Sequence, residues 1–280
     1  MAVLSSHELT LAGISISLRI DGYLPALSSQ LQPFLTRADL SVPADIELEI
    51  IHEDVGKAPL VTPPPGESFM LARRDQAGLV FYRDEGRLLA DVGFASCRAW
   101  DVQEFIPPGT FDGRPWLMLA IWGYLAHRGG TLLHGAVCEL DEHFVVFLGS
   151  PGAGKSTLGR LVVAAGGTCL TEEYPLLTCP EGLAWAHSTP WRGIQGPGRR
   201  LSGPLEGVFF LRHAPVNDLR QLDQREGGQR LLQTTRFFIW EPTTVPDTIE
   251  MLDRTARNTP IYDFGFVPDR SAVERLREVL

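Results

Sequence analysis

The chain has 280 residues, 44% of them hydrophobic and 21% charged, a composition that supplies core material for two small domains or one large one. Its 25 basic residues against 34 acidic ones, a net charge of −9 at pH 7, argue against a nucleic-acid partner, because a phosphate backbone is held by a basic face. Cys97, Cys138, Cys169 and Cys179 show no CxxC spacing, and no apolar stretch approaches the roughly 20 residues of a membrane helix, so a cytoplasmic protein without a zinc site, a disulfide framework or a membrane span is expected.

Residues 8 to 20 alternate, with Leu9, Leu11, Ile14, Ile16, Leu18 and Ile20 at the apolar positions, which predicts a strand bent near Gly13. A short helix is expected over Pro25 to Leu35. Ile46, Leu48 and Ile50 resume the period of two before the turn-rich Pro63-Pro64-Pro65-Gly66. Gly78 to Tyr82 and Arg87 to Val92 read as a hairpin around Asp84-Glu85-Gly86. Residues 1–109 thus read as a small antiparallel β-rich domain without a catalytic constellation, ending near Pro107-Pro108-Gly109, and residues 110–280 as a second domain.

Pro115 to His127 has helical spacing in Trp116, Leu119, Ala120, Gly123 and Tyr124, with Gly129-Gly130 as its stop. Val137 to Leu140 and Phe144 to Leu148 then form a hairpin. If its turn is Asp141-Glu142-His143, Leu140 faces Phe144, and carrying that register back sets His134 opposite Ser150. A histidine there either orients a nucleophile beside a phosphate or is simply hydrogen-bonded at a strand start.

Gly149-Ser150-Pro151-Gly152-Ala153-Gly154-Lys155-Ser156 has the P-loop spacing, two glycines bracketing four residues ahead of a Lys-Ser pair. Its flanks agree. Phe144 to Leu148 is a continuous apolar run, and Thr157 to Ala165 reads as a helix with Leu158, Leu161, Val162 and Ala165 on one side. The glycines permit positive φ, so backbone N–H groups from Gly149 to Thr157 can point at phosphates from a helix N-terminus. Lys155, an exposed loop lysine on this reading, supplies charge toward the β- and γ-phosphates, and the Ser156 hydroxyl serves Mg²⁺.

Thr168 to Thr171 leads to Glu172 and Glu173. Leu176 to Thr178 and Leu183 to Ala186 read as a hairpin around Pro180-Glu181-Gly182. Arg192, Arg199 and Arg200 follow in a Gly/Pro-rich loop, either a lid that reaches a triphosphate or acidic substrate, or solvated surface charge. Val208 to Leu211 and Phe264-Gly265-Phe266 read as strands, and Asn217 to Leu232, Pro246 to Ala256 and Arg270 to Leu280 as helices.

Leu133-His134-Gly135, the hairpin, the P-loop and the strand ending Leu170-Thr171-Glu172-Glu173 together resemble the catalytic core of the HPr kinase/phosphorylase family, relatives of phosphoenolpyruvate carboxykinase, and most of all its shorter HPr-kinase-like branch. Thr189-Pro190-Trp191-Arg192-Gly193 and Gly203 to Leu211 are similar to features of those shorter relatives. The likeness runs from about Trp116 to the C-terminus. It implies a mixed α/β (α+β) fold, with an HPr-kinase-like P-loop domain following the β-rich domain, and ATP and Mg²⁺ as cofactors. In the family a histidine and the first of two aspartates act on the substrate hydroxyl, while the second aspartate helps hold the metal. Those places fall on His134, Glu172 and Glu173, with Lys155 and Ser156 in the loop.

Both aspartates are glutamates here, which sets each carboxylate roughly 1.5 Å further from the backbone. Metal coordination tolerates that displacement better than an in-line attack does. Two main readings stand. One is an ATP-dependent kinase acting on a serine or similar hydroxyl of a protein, peptide or small molecule. The other is a catalytically weak nucleotide-binding regulatory or scaffold protein derived from such a kinase. A phosphotransfer enzyme with a small carboxylic substrate is less favoured, for want of a second set of metal ligands. The sequence is compatible with a homo-oligomer, and nothing in the loop distinguishes ATP from GTP.

Overall fold

The computed structural model describes residues 4–21, 26–27, 31–36, 43–52, 71–75, 78–83, 86–101, 110–111, 116–191 and 202–280. The chain is a mixed α/β protein that divides into two compact units, Met1–Tyr124 and Leu125–Leu280. The proline cluster at 63 to 65, Pro107-Pro108-Gly109, and Arg192, Arg199 and Arg200 lie outside the described residues. Among the described residues no helix is long and apolar enough to cross a membrane.

The first unit contains β1 (Leu4–Leu11), β2 (Ile14–Asp21), β3 (Ala26–Leu27), β4 (Ile46–His52), β5 (Leu71–Asp75), β6 (Gly78–Arg83), β7 (Gly86–Ala90), β8 (Ser96–Asp101) and β9 (Thr110–Phe111). Seven of these form one sheet of order β1-β2-β4-β8-β7-β6-β5, while β3 and β9 pair separately. The alternation over residues 8 to 20 belongs to two strands, not to one bent strand. Ala12 and Gly13, at φ 53° and 77°, turn β1 back on β2, so that Leu9 faces Ile16 and Leu11 faces Ile14. The turn restores the phase of the alternation, and all six apolar side chains are buried. In place of the helix expected over Pro25 to Leu35, the described residues hold β3 and a single 3₁₀ turn, Gln32–Phe34.

The antiparallel meander holds for β5 to β8, and β1 and β2 pair antiparallel as well, but it does not extend through the whole sheet. β2 pairs with β4, and β4 with β8, in parallel. A period of two identifies a half-buried strand but is silent about the direction of its neighbour, which the intervening chain decides. Helix α1 (Trp116–Ala126) is apolar nearly all round. The Tyr124 hydroxyl near its end donates to Asp45 Oδ1 at 2.9 Å, and Ser15 donates to the other oxygen of the same carboxylate.

The second unit continues with β10 (Thr131–Leu133), β11 (Gly135–Leu140), β12 (His143–Leu148), α2 (Lys155–Ala164), β13 (Thr168–Thr171), β14 (Leu176–Thr178), β15 (Trp185–His187), β16 (Ser202–His213), β17 (Asp218–Gln221), α3 (Gln224–Thr234), β18 (Thr235–Arg236), α4 (Val245–Asn258), β19 (Ile261–Phe266) and α5 (Arg270–Arg277). The sheet runs β13-β11-β12-β16-β15-β14-β10-β18, with β19 beside β16 and β17 beside β19. At its centre β12, β16 and β19 are parallel, and both faces of these strands are covered. Phe147, Phe209, Phe264 and Phe266 cluster with Leu158 and Val162 of α2 and Val273 and Leu276 of α5. Val146, Val208, Phe210 and Ile261 cluster with Leu231 of α3 and Met251 and Leu252 of α4. Two apolar faces explain why Phe144 to Leu148 reads as an unbroken apolar run.

The β11–β12 hairpin is one residue tighter than expected. Leu140 faces His143, and only Asp141 and Glu142, at φ 50° and 72°, form the turn. Two successive positive φ values mark the tight turn whose twist matches the flanking strands, which a three-residue reading misses. The helix expected over Asn217 to Leu232 is divided. β17 comes first, and α3 starts only at Gln224, where the Asp223 side chain accepts from the Glu226 N–H at 2.8 Å.

An ionic network fastens α3 to the central strands. Arg212 Nε and Arg230 Nη1 donate to the two oxygens of Asp263, each at 2.6 Å, while Glu226 takes a two-pronged contact from Arg220 and a further bond from Arg230. Burial pushes the Asp263 carboxyl up, but the hydrogen bonds from Arg230 and Arg212 outweigh it and hold the group below its ordinary value. A depressed folded-state value means that the stabilisation is fully present above the unfolded-state value and is lost as pH falls through the folded-state one. Asp263→Asn should therefore cost about 2 kcal/mol at pH 7. In urea titrations the gap between wild type and variant should close as the pH is lowered below the ordinary carboxylate range. A gap independent of pH would contradict the assignment.

Candidate functional site

β12 ends at Leu148, and the glycine loop bridges it to the first residue of α2. Gly152 and Gly154 both lie in the left-handed region, at φ 84° and 98°. Gly154 has a second reason to lack a side chain, since a Cβ there would stand 2.6 Å from Phe266 Cζ; one on Gly152 would meet nothing within 4 Å. The loop therefore presents the first-turn N–H groups of α2, which have no partner within the helix and carry the positive end of its dipole.

Lys155 is not the exposed loop lysine expected from the sequence. It is 9% exposed, and Nζ donates to the carbonyls of Gly149, at 2.7 Å, and Ser150, at 3.1 Å. Burial lowers its pKa. These two bonds hold Nζ against the carbonyls of its own loop. Ser156 and Thr157 are partly buried in the first turn of α2, and Pro151 is exposed at the tip.

His134 occupies the break between β10 and β11. The hairpin register ends with Gly135 opposite Leu148, so His134 falls level with Gly149, one position from the Ser150 expected. Its neighbours are tied to the segment between β13 and β14, with Leu133 N–H donating to Pro175 O at 3.0 Å and Gly135 N–H to Glu173 O at 3.4 Å. The imidazole meets Tyr174 edge-on at 6.5 Å, and its Nδ1 is buried without a hydrogen-bond partner. Burial lowers the pKa of His134, and the charges of Lys155 and Arg236 lower it further against the opposing pull of Glu173. The ring is consequently neutral at pH 7.

Glu172 and Glu173 follow the last residue of β13. Thr171 Oγ1 lies 3.1 Å from Thr189 Oγ1, which donates in turn to Tyr174 O at 3.1 Å, so the turn carrying both glutamates is fastened across its base. Glu172 Oε1 is buried without a partner. Its charge reaches Cys138, whose thiol lies against Cys169 beneath Gly159 of α2. The structure thus brings Lys155 and Glu173 each within electrostatic range of His134, with Glu172 next to Glu173 in the same turn. Among the described residues no cluster of three or more His, Cys, Asp or Glu side chains is arranged to hold a metal by itself.

Three residues escaped the sequence reading. Tyr174 packs on His134, and the Arg236 guanidinium lies 5.6 Å over the Tyr174 ring. His213 Nε2 lies 2.7 Å from Gly152 O in the loop itself. Arg236 is brought in by the pairing of β18 with β10, and no local pattern announces that pairing.

No family model and no curated protein matches the chain. Among solved structures it is similar to the Hpr(Ser) kinase/phosphatase from Coxiella burnetii, with 12% identity and a TM-score of 0.33 over 52% of this chain and 96% of that one. At that TM-score the likeness assigns neither a family nor an activity.

The two left-handed glycines separate strain from crowding. Gly152→Ala meets only the left-handed penalty and should cost about 1 kcal/mol. Gly154→Ala adds the collision with Phe266 and should cost about 3 kcal/mol in total. Urea denaturation of both variants checks this, and equal losses would contradict the packing described.

Proposed function

We propose that the protein is an ATP-dependent kinase that transfers the γ-phosphoryl group to a serine or similar hydroxyl of a protein, a peptide or a small molecule. The observation that carries this reading is the convergence of a helix N-terminus, a buried lysine and two partnerless buried polar atoms, Glu172 Oε1 and His134 Nδ1, at one edge of the sheet. A buried acceptor or donor left unpaired costs about 1–3 kcal/mol, which a ligand, an ion or a water that completes it recovers.

The residues suit a Mg-nucleotide. Gly149 to Thr157 would hold the phosphates through backbone N–H groups and Lys155, whose Nζ is already turned over the loop. Ser156 and Glu173 would hold the Mg²⁺, a pair that leaves most of its coordination to water and phosphate oxygens, as this ion ordinarily requires. The bound group supplies a transferable phosphoryl and a divalent charge that offsets developing negative charge.

The chain's own residues do the rest. Glu172 accepts the proton of the acceptor hydroxyl at Oε1. His134, held neutral by burial and by Lys155 and Arg236, orients that hydroxyl through the unpaired Nδ1 without adding a competing positive charge. Arg192, Arg199 and Arg200 remain candidates for a lid over the triphosphate or the acceptor.

The test is ADP release from Mg-ATP in the presence of serine- and threonine-containing peptides and small alcohols. Glu172→Gln should lower turnover about 100-fold or more, with Mg-ATP affinity nearly unchanged, because it removes the base and little of the phosphate contact. Replacing Glu172 and Glu173 together by aspartate withdraws both carboxylates. A slower enzyme means a pocket built around the longer side chains, and a faster one a site impaired by them. Equal inactivity of wild type and both variants across the whole panel would favour the regulatory nucleotide-binding protein.

A further inference from the structure

We infer that His213 is a positioning residue that holds the glycine loop in its ligand-receiving shape, an inference that rests on the loop being the nucleotide site. His213 is the last residue of β16, and the parallel register with β19 sets it opposite Phe266. The two rings stack with centroids 6.3 Å apart and planes 26° from parallel. Phe266 is wholly buried, and its edge lies where a side chain on Gly154 would project. The imidazole therefore rests on a fixed platform directly beside the loop.

From that platform Nε2 lies 2.7 Å from Gly152 O. A carbonyl oxygen only accepts, so Nε2 carries the proton and donates. The peptide joining Gly152 to Ala153 is held at its other end as well, because Ala153 N–H donates to Ser150 O at 3.0 Å. Fixing one peptide plane at both ends limits the swing of Gly152 and Gly154, each of which has both halves of φ space open to it. A glycine loop that must order on binding spends affinity on that ordering, and a preformed one does not. The neighbouring Arg212 does not compete for the carbonyl, being engaged by Asp263 and Asp218.

The donor and the ring can be separated. His213→Phe keeps an aromatic ring on Phe266 and removes the N–H, while His213→Gln keeps an N–H and removes the ring. The first measurement is amide hydrogen exchange of residues 149–157 in the ligand-free protein; the second is calorimetric titration with Mg-ATP. His213→Phe should speed loop exchange and weaken Mg-ATP binding, each about tenfold, the size expected for one hydrogen bond. His213→Gln should recover most of both. Exchange as slow in His213→Phe as in wild type would overturn the inference, and so would faster exchange with unchanged affinity, or a glutamine variant no better than the phenylalanine one. Wild-type protein that binds no Mg-ATP would instead bring down the nucleotide reading and with it the purpose assigned to His213, an outcome told apart from the others because it requires no variant.

Discussion

Leu148 stands opposite Phe210 in parallel register, and three residues further along β16 His213 stands opposite Phe266 of β19. From these pairings the geometry of the site follows. Because β12, β16 and β19 run the same way, the chain leaves β12 into the glycine loop at the edge where β16 and β19 also end. A ligand site at the carboxyl ends of parallel strands is the general outcome of such an arrangement. The pairing holds because both faces of these strands are buried, Phe147 and Phe209 under α2 and α5, Val146 and Phe210 under α3 and α4. A slip of one residue would send each of those side chains to the opposite layer.

On this frame the electrostatics are arranged by burial. Lys155 is a buried cation whose pKa is lowered by desolvation, and its charge in turn helps to keep His134 neutral. Arg236 adds to that effect across the Tyr174 ring, while Glu173 opposes it. A buried cation, a neutral imidazole and a turn carrying two carboxylates thus lie at one edge of the sheet, the arrangement on which the proposed function rests.

Much of this was legible in the sequence because it is local. The loop's spacing, the apolar run before it and the helical stripe after it are each read within a dozen residues, and strand, loop and helix follow one another as the pattern set them, the helix starting two residues early at Lys155. The two-residue Asp141-Glu142 turn was misjudged by one position because neither residue is a glycine, although both adopt positive φ. The break between β17 and α3 was obscured by Leu219 and Leu222, which continue an apolar pattern across the Asp223 cap. What could not be read at all is non-local: the parallel direction of β2, β4 and β8, the delivery of Arg236 by β18, and the stacking of His213 on Phe266. Such contacts join residues far apart in the chain and leave no periodic trace. The burial of Lys155 escaped for another reason: its partners lie only five and six residues back, but nothing in the spacing shows that the loop's carbonyls turn toward its Nζ.

Under the proposed function the loop from Gly149 to Ser156 holds the phosphates of a nucleotide through Lys155. The most direct measurement is isothermal titration of wild-type protein and Lys155→Ala with Mg-ATP, alongside urea denaturation of both. The account predicts saturable binding by the wild type and its loss in the variant, with a stability change of no more than about 1–2 kcal/mol from the lost bonds to Gly149 O and Ser150 O. Undiminished affinity in a folded Lys155→Ala protein would contradict it.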